Sequence, residues 1–137
     1  MTQEHDIRLA YISTLLDGGY TRLLEGTENP TIGYIVGGVT EPTTMNLHTG
    51  KLKEVSVLTI AEFEEFKELW LTYAMQAPLY TDHDVHRLTG VGTWVHDGKI
   101  YFDLVQHFHG FDEATEQAKQ RGEIAIYDCT KQKEILL

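Results

Sequence analysis

The sequence predicts an α+β fold, with a mostly antiparallel sheet of four to five strands and two or three helices on one side of it. The strongest observation is an Asp97-Gly98 pair between two strand-like runs, which is typical of a tight β-hairpin. The second is helical periodicity in residues 3–16, 59–76 and 112–121, which alternate with strand-like runs.

The two-residue loop of this hairpin fixes which residues face each other. Trp94 is expected opposite Tyr101, and side chains alternate between the two faces of each strand. One face then carries an apolar set: Val91, Thr93, Val95, Ile100, Phe102 and Leu104. The other face carries a mixed set: Gly92, Trp94, His96, Lys99, Tyr101, Asp103 and Val105. We expect the first face to lie in the core.

The hairpin leads into a helix and then a third strand. Asp112 is expected at the N-cap of this helix, because a short carboxylate can accept hydrogen bonds from the free amides of the first turn. Gly122 suits the position just after the helix, where positive φ is common. Residues 124–127 then predict a strand.

The first half of the chain predicts a similar mixture of elements. Residues 3–16 form one apolar stripe at helical spacing, and this N-terminal helix is assigned to residues 1–19. Residues 31–39 and 51–58 predict strands, and the polar, turn-rich residues 40–50 between them predict a loop.

A long helix is expected to begin at Thr59, because Thr59 and Glu62 have the spacing of a capping box. It is expected to end near Gln76, since a residue before Pro78 avoids the helical region. Four aromatic residues form its expected buried stripe: Phe63, Phe66, Trp70 and Tyr73.

These elements suggest two strand–strand–helix units within one domain of residues 1–137. The first unit spans residues 31–76, and the second spans residues 90–128 and includes a further strand. The similarity of the two units has two interpretations, a true duplication or convergence on a common motif.

Composition limits the classes of function. The net charge is −10, which argues against a nucleic-acid-binding protein because such proteins need a basic surface. The lone Cys129 fits a reducing, cytoplasmic compartment. No apolar run has the length of a membrane span, and the N-terminus does not resemble a secretory signal. We therefore expect no nucleic-acid partner and no membrane association.

Histidines supply the main candidates for a metal site. Asp82, His83, Asp84 and His86 form one polar segment, and carboxylates and imidazoles together can bind a divalent cation. His107 and His109 continue the alternation of the hairpin onto the face of Trp94 and Asp103, which would allow a cluster with His96. The competing interpretation is a set of scattered surface histidines, since no motif fixes a ligand geometry.

No nucleophile elbow, phosphate loop, dinucleotide fingerprint or zinc-ribbon cysteine pattern is present. We therefore assign no catalytic residue and no cofactor. The candidate interface or ligand face has six members: Trp94, His96, Tyr101, Asp103, His107 and His109. If that face is open to solvent, its aromatic residues mark an interaction site.

Residues 92–135 resemble the C-terminal part of small uncharacterised proteins encoded by bacteria and their phages. The likeness lies in the segments GTWVHDGKIYFDL and DEATEQAKQRGEIAIYD and in a lysine-rich turn that ends in Glu134-Ile135. It covers about a third of the chain. The resemblance implies a phage or mobile-element setting and assigns no activity to any residue.

The sequence thus favours a non-catalytic module that binds a protein partner or forms a homo-oligomer. One alternative is a metal-dependent hydrolase or other metalloenzyme that uses the His/Asp-rich segments. Another is an acidic DNA-mimic inhibitor, with rows of exposed carboxylates in residues 62–68 and 112–116.

Overall fold

A computed structural model describes residues 4–47, 57–81 and 88–137, which contain three helices and seven strands. The helices are α1 (Glu4–Asp17), α2 (Val57–Tyr80) and α3 (Phe111–Gln120). The strands are β1 (Gly19–Leu23), β2 (Tyr34–Val36), β3 (Thr43–Asn46), β4 (Thr89–His96), β5 (Lys99–Phe108), β6 (Ala125–Asp128) and β7 (Lys133–Leu136). The predicted α+β class is confirmed, while the predicted count of four to five strands is too low.

All strand pairs of the described sheet are antiparallel, in the order β1-β4-β5-β2-β6-β7. β3 lies off this path and also pairs with β5. β2 lies opposite residues 106–108 of β5, and β3 lies opposite residues 99–102. The short stretch of β5 at residues 103–105 therefore faces a gap between β2 and β3.

The predicted hairpin is confirmed in both turn and register. Asp97 and Gly98 have φ of 52° and 75°, the positive pair that a type I′ turn requires. Trp94 lies opposite Tyr101, and Val95 lies opposite Ile100. A local turn signal was sufficient here because a two-residue loop leaves the flanking strands only one register.

The three helices pack on the same face of the sheet. Ile100, Phe102 and Leu104 of β5 join a core cluster with residues of α1 and α2, including Phe66 and Trp70. Further along the same face of β5, Phe108 packs with Ala114 and Ala118 of α3. Alternation along the strand therefore sends Tyr101, Asp103, Val105 and His107 to the opposite face.

The predicted boundaries of α2 are wrong at both ends. Thr59 lies inside the helix, which begins at Val57, and the helix continues through Pro78 to Tyr80. Tertiary contacts stabilise its last turn, because the Tyr80 carbonyl accepts hydrogen bonds from Thr89 Oγ1 at 2.9 Å and from Gln106 Nε2 at 3.0 Å. These two tertiary hydrogen bonds outweigh the local tendency of Pro78 to end the helix.

Two further local predictions need correction. The cap of α3 is Gly110, and Asp112 lies in the first turn of the helix. Residues 40–50 are not simply a loop, because Thr43–Asn46 form β3 with Met45 buried opposite Ile100. Of the strand predicted over residues 51–58, residues 51–56 lie outside the described part, and Val57 belongs to α2. The two-unit organisation therefore stays a prediction.

Candidate functional site

Within the described part of the chain, the sheet face opposite the helices carries a pair of stacked aromatic rings. The Trp94 and Tyr101 rings have centroids 5.1 Å apart and an interplanar angle of 7°. The His96 ring lies 6.4 Å from that of Tyr101, and His96 is exposed. Trp94 is 37% exposed. This end of the face is thus an aromatic surface open to solvent.

The histidines predicted to share this face do not form one cluster. His96 lies opposite Lys99 at the turn, whereas His107 lies eight residues further along β5, roughly 27 Å away for an extended strand. His107 and His109 do meet, with ring centroids 5.0 Å apart at 90°. The structure therefore divides the six candidates between two ends of the sheet, with Asp103 between them.

The His107 end is covered by the connection between β1 and β2. Because the Ile32 carbonyl can only accept, the His107 ring donates its Nε2–H to it, at 2.6 Å. A cleft of about 330 Å³ lies beside the two imidazoles, and Leu23, Pro30 and Leu88 are among the residues that line it. The cleft thus places two imidazoles beside a mixed wall, to which Glu25, Thr27 and Thr31 also contribute.

The metal hypothesis can be compared with the structure only in part. Asp82, His83, Asp84 and His86 lie outside the described residues. Within residues 4–47, 57–81 and 88–137, no group of three or more His, Cys, Asp or Glu side chains is placed to hold a metal ion.

Asp103 is the most unusual of the predicted face residues. It is only 2% exposed. Its Oδ2 accepts a hydrogen bond of 3.0 Å from the Gly38 amide, while its buried Oδ1 has no hydrogen-bond partner. Burial and the nearby Glu123 carboxylate raise the pKa of Asp103 to about 7, against the hydrogen bond from Gly38, which lowers it.

An apolar stripe on the outer side of α2 was missed by the sequence reasoning. Leu71, Met75 and Leu79 are 37%, 77% and 78% exposed. They recur every four residues and so share one side of the helix, while Trp70 and Tyr73 on the other side are buried in the core. The four-residue spacing is readable in the sequence, but the aromatic stripe on the opposite side of the helix is the stronger apolar signal.

A second outer stripe lies on α1, formed by Leu9, Ile12 and Leu16. Lys67 of α2 contacts Glu4 at the start of α1, whereas Glu62 contacts Tyr11 further along. The two helices therefore run in opposite directions, and the stripe of α1 leads away from the C-terminal half of α2. The two stripes are separate surfaces.

The acidic row predicted on α3 is exposed, whereas the row on α2 is only partly exposed. Asp112, Glu113 and Glu116 are on the surface, as are Glu64, Glu65 and Glu68. Glu62, by contrast, is buried, and its Oε1 accepts a hydrogen bond of 2.6 Å from the Tyr11 hydroxyl. Lys67 also reduces the negative charge of this surface, because it forms ion pairs with Glu4 and Glu64.

Cys129 is a buried packing residue. It is grouped with Ile35 and Val105 in a small cluster on the sheet face away from the helices. Burial, followed by the negative charge of Asp128, raises the pKa of the Cys129 thiol to about 11. The thiolate fraction at neutral pH is correspondingly small, which is unsuited to a nucleophile.

Comparison with known proteins does not assign the chain to a class. No family model, no curated protein and no solved structure matches it. Among the described helices, none is both long and apolar enough to cross a bilayer.

Proposed function

We propose that this protein is a non-catalytic binding module that associates with a second copy of itself through the outer side of α2. The observation that carries the proposal is the stripe of Leu71, Met75 and Leu79 on a helix whose other side already packs on the sheet. Isolated exposed apolar residues are ordinary, but three in one row over about 12 Å of helix form a continuous patch. Such patches mark interaction sites.

A second copy is the partner that fits this stripe best. A row of apolar residues on one helix is self-complementary about a two-fold axis, and two-fold dimers are the commonest assemblies of soluble proteins. The exposed carboxylates Glu64, Glu65 and Glu68 all precede the stripe. Antiparallel packing centred on Met75 places the two acidic segments at opposite ends, which limits repulsion between two chains of net charge −10.

Sedimentation velocity tests the proposal, with the wild type compared against a Met75→Ser/Leu79→Ser variant. The wild type should sediment as a dimer at roughly 100 µM, a concentration at which even a weak complex forms. The double variant should sediment as a monomer, and its Tm should equal that of the wild type at a low concentration where both proteins are monomeric, since both side chains are exposed. Leu16→Ser is the matched control, because Leu16 is 79% exposed but lies on α1.

A wild type that stays monomeric would contradict self-association. Loss of the dimer in the Leu16→Ser control but not in the double variant would move the interface to α1. Either result counts against the outer side of α2.

The aromatic surface of Trp94, His96 and Tyr101 is a second candidate surface, for a different protein partner. Trp and Tyr are enriched at the centres of interfaces because they bury a large area at little cost in conformational entropy. The resemblance of residues 92–135 to phage and bacterial proteins favours a mobile-element setting, and the lone cysteine favours the cytoplasm.

A further inference from the structure

The gap in the sheet at residues 103–105 of β5 brings a buried carboxyl group against a glycine pair. β2 ends at Val36, and the chain then runs along the gap through Gly37 and Gly38 before β3 begins at Thr43. Asp103 lies at this gap and is hydrogen-bonded to the Gly38 amide. This contact fastens the connection between β2 and β3 to the centre of the sheet.

The carboxylate of Glu123, in the connection after α3, also lies close to Gly37. A Cβ placed on Gly37 would collide with Asp103 Oδ2 and would lie only 3.1 Å from Glu123 Oε1. Asp103 Oδ2 and Glu123 Oε1 therefore lie within about 6 Å of each other. At this separation the repulsion between two negative charges raises the pKa of a carboxyl group. A Cβ on Gly38 would also meet the Glu123 carboxyl group, at 2.8 Å.

The charged and titratable groups around Asp103 are few. The connection after α3 contributes Glu123 and Arg121, and the β2–β3 connection contributes Gly37 and Gly38, which cannot titrate. On β4 the opposite residue is Gly92, and on β5 itself the nearest titratable neighbour on the same face is Tyr101.

Arg121 does not by itself balance the two carboxylates. Its guanidinium donates a hydrogen bond of 3.2 Å to the Gly37 carbonyl and another to Gln106 Oε1. Two carboxylates and one guanidinium leave one negative charge, and Asp103 Oδ1 is buried without a hydrogen-bond partner. An unpaired buried charge is costly, so a positive charge or a proton is needed at this position.

We propose that Asp103 and Glu123 share one proton, and that loss of this proton releases the Gly37–Gly38 segment from β5. In the protonated state the proton lies on Asp103, so Glu123 is the only charged carboxylate of the pair and Asp103 Oδ2 still accepts from the Gly38 amide. Deprotonation sends the proton to solvent and leaves two negative charges at the gap. Their repulsion drives the glycine segment and Glu123 outward.

A proton fits this position better than a metal ion. Calcium takes six to eight oxygen ligands and magnesium six, whereas two carboxylates meet here beside a guanidinium. The direction of the Asp103 pKa shift agrees with proton uptake, since burial and then the Glu123 charge raise it to about 7. The switch therefore operates close to neutral pH.

Amide hydrogen exchange followed by NMR tests this inference on the intact protein. The protection factor of the Gly38 amide, corrected for the intrinsic pH dependence of exchange, should fall about tenfold or more between about pH 6 and pH 8 in the wild type. In Asp103→Asn, which keeps the acceptor but cannot ionise, protection should stay high and independent of pH. In Glu123→Gln the fall should shrink or vanish, because a single negative charge then remains beside Arg121 and no repulsion drives the segment outward.

A fall in Glu123→Gln as large as that of the wild type removes Glu123 from the pair and overturns the proposal. Glu65→Gln is the control, because Glu65 is an exposed carboxylate on α2. Constant wild-type protection across this range would overturn the switch. So would recovery of protection at about pH 8 on addition of Ca²⁺, Mg²⁺ or Mn²⁺, which would identify a cation site instead.

Discussion

The hydroxyl of Tyr11 donates a buried hydrogen bond of 2.6 Å to Oε1 of Glu62, which joins α1 to α2 across 51 positions of the chain. The Tyr11 ring also packs against Phe63 and Phe66, with centroids 5.5 and 5.1 Å away. Both helices are therefore fixed to each other as well as to the sheet. The exposed apolar stripes of α1 and α2 are therefore fixed relative to each other.

Removing the Tyr11 hydroxyl should destabilise this layer without creating a cavity. Tyr11→Phe keeps the ring contacts but leaves the buried Glu62 carboxylate without that donor. We expect a loss of about 1–3 kcal/mol in the free energy of unfolding, measured by urea denaturation at neutral pH. A Tyr73→Phe variant gives a comparison, because its hydroxyl is shared between the Glu41 carbonyl and Thr43 Oγ1 rather than with a carboxylate. A smaller loss in Tyr11→Phe than in Tyr73→Phe would contradict this explanation.

The stability of the protein should depend on Asp103 in a defined pH window. Its pKa is raised from 3.8 to about 7 on folding, so between these values the folded state holds a proton that the unfolded state has lost. The stabilisation that the Asp103 proton gives to the folded state is therefore fully present below about pH 4. As pH rises, the free energy of unfolding falls by about 1.4 kcal/mol per pH unit, and it levels off above about pH 7.

Thermal unfolding of the wild type and Asp103→Asn across this window measures the effect. The difference in stability should grow in favour of the variant up to about pH 7, to at most about 4 kcal/mol, and then stay constant. Taking the difference between the two proteins cancels the titration of the other carboxylates. A difference that does not change with pH would show that Asp103 titrates normally in the folded state.

Fluorescence should distinguish the two tryptophans, because their surroundings differ. Trp70 is 2% exposed in the core, whereas Trp94 stacks on Tyr101 at the open end of the sheet face. Trp94→Phe should shift the emission maximum to shorter wavelength and reduce quenching by acrylamide, since only the buried indole remains. Equal quenching of the wild type and the variant would mean that Trp94 is covered in solution.

The hairpin and the class of fold were predictable because their signals are local. The Asp97-Gly98 pair specifies its own turn, and that turn sets the register from His96–Lys99 to Trp94–Tyr101. β3 was not predictable in this way. Its two threonines favour a strand, but the segment is short and lies among turn-forming residues, so its pairing depends on the burial of Met45 in the core opposite Ile100.

The geometry of the candidate face was predictable only in part. Alternation placed Trp94 opposite Tyr101, but it gives no distance along the strand, so it left open whether His96 and His107 cluster or lie apart. The burial of Asp103 depends on β2 and β3 sharing one edge of β5, which no local pattern encodes. The outer stripe of α2, by contrast, is encoded locally in the four-residue spacing of Leu71, Met75 and Leu79.

A cysteine cross-link tests the proposed dimer most directly. In an antiparallel dimer centred on Met75, the two copies of residue 75 face each other, so Met75→Cys should form a disulfide-linked dimer rapidly on mild oxidation. The native Cys129 is buried and should stay silent, and Leu16→Cys reports random collisions at an equally exposed site. The proposal predicts nearly complete cross-linking for Met75→Cys and little for Leu16→Cys on a non-reducing gel. Equal, slow cross-linking of the two variants would contradict it.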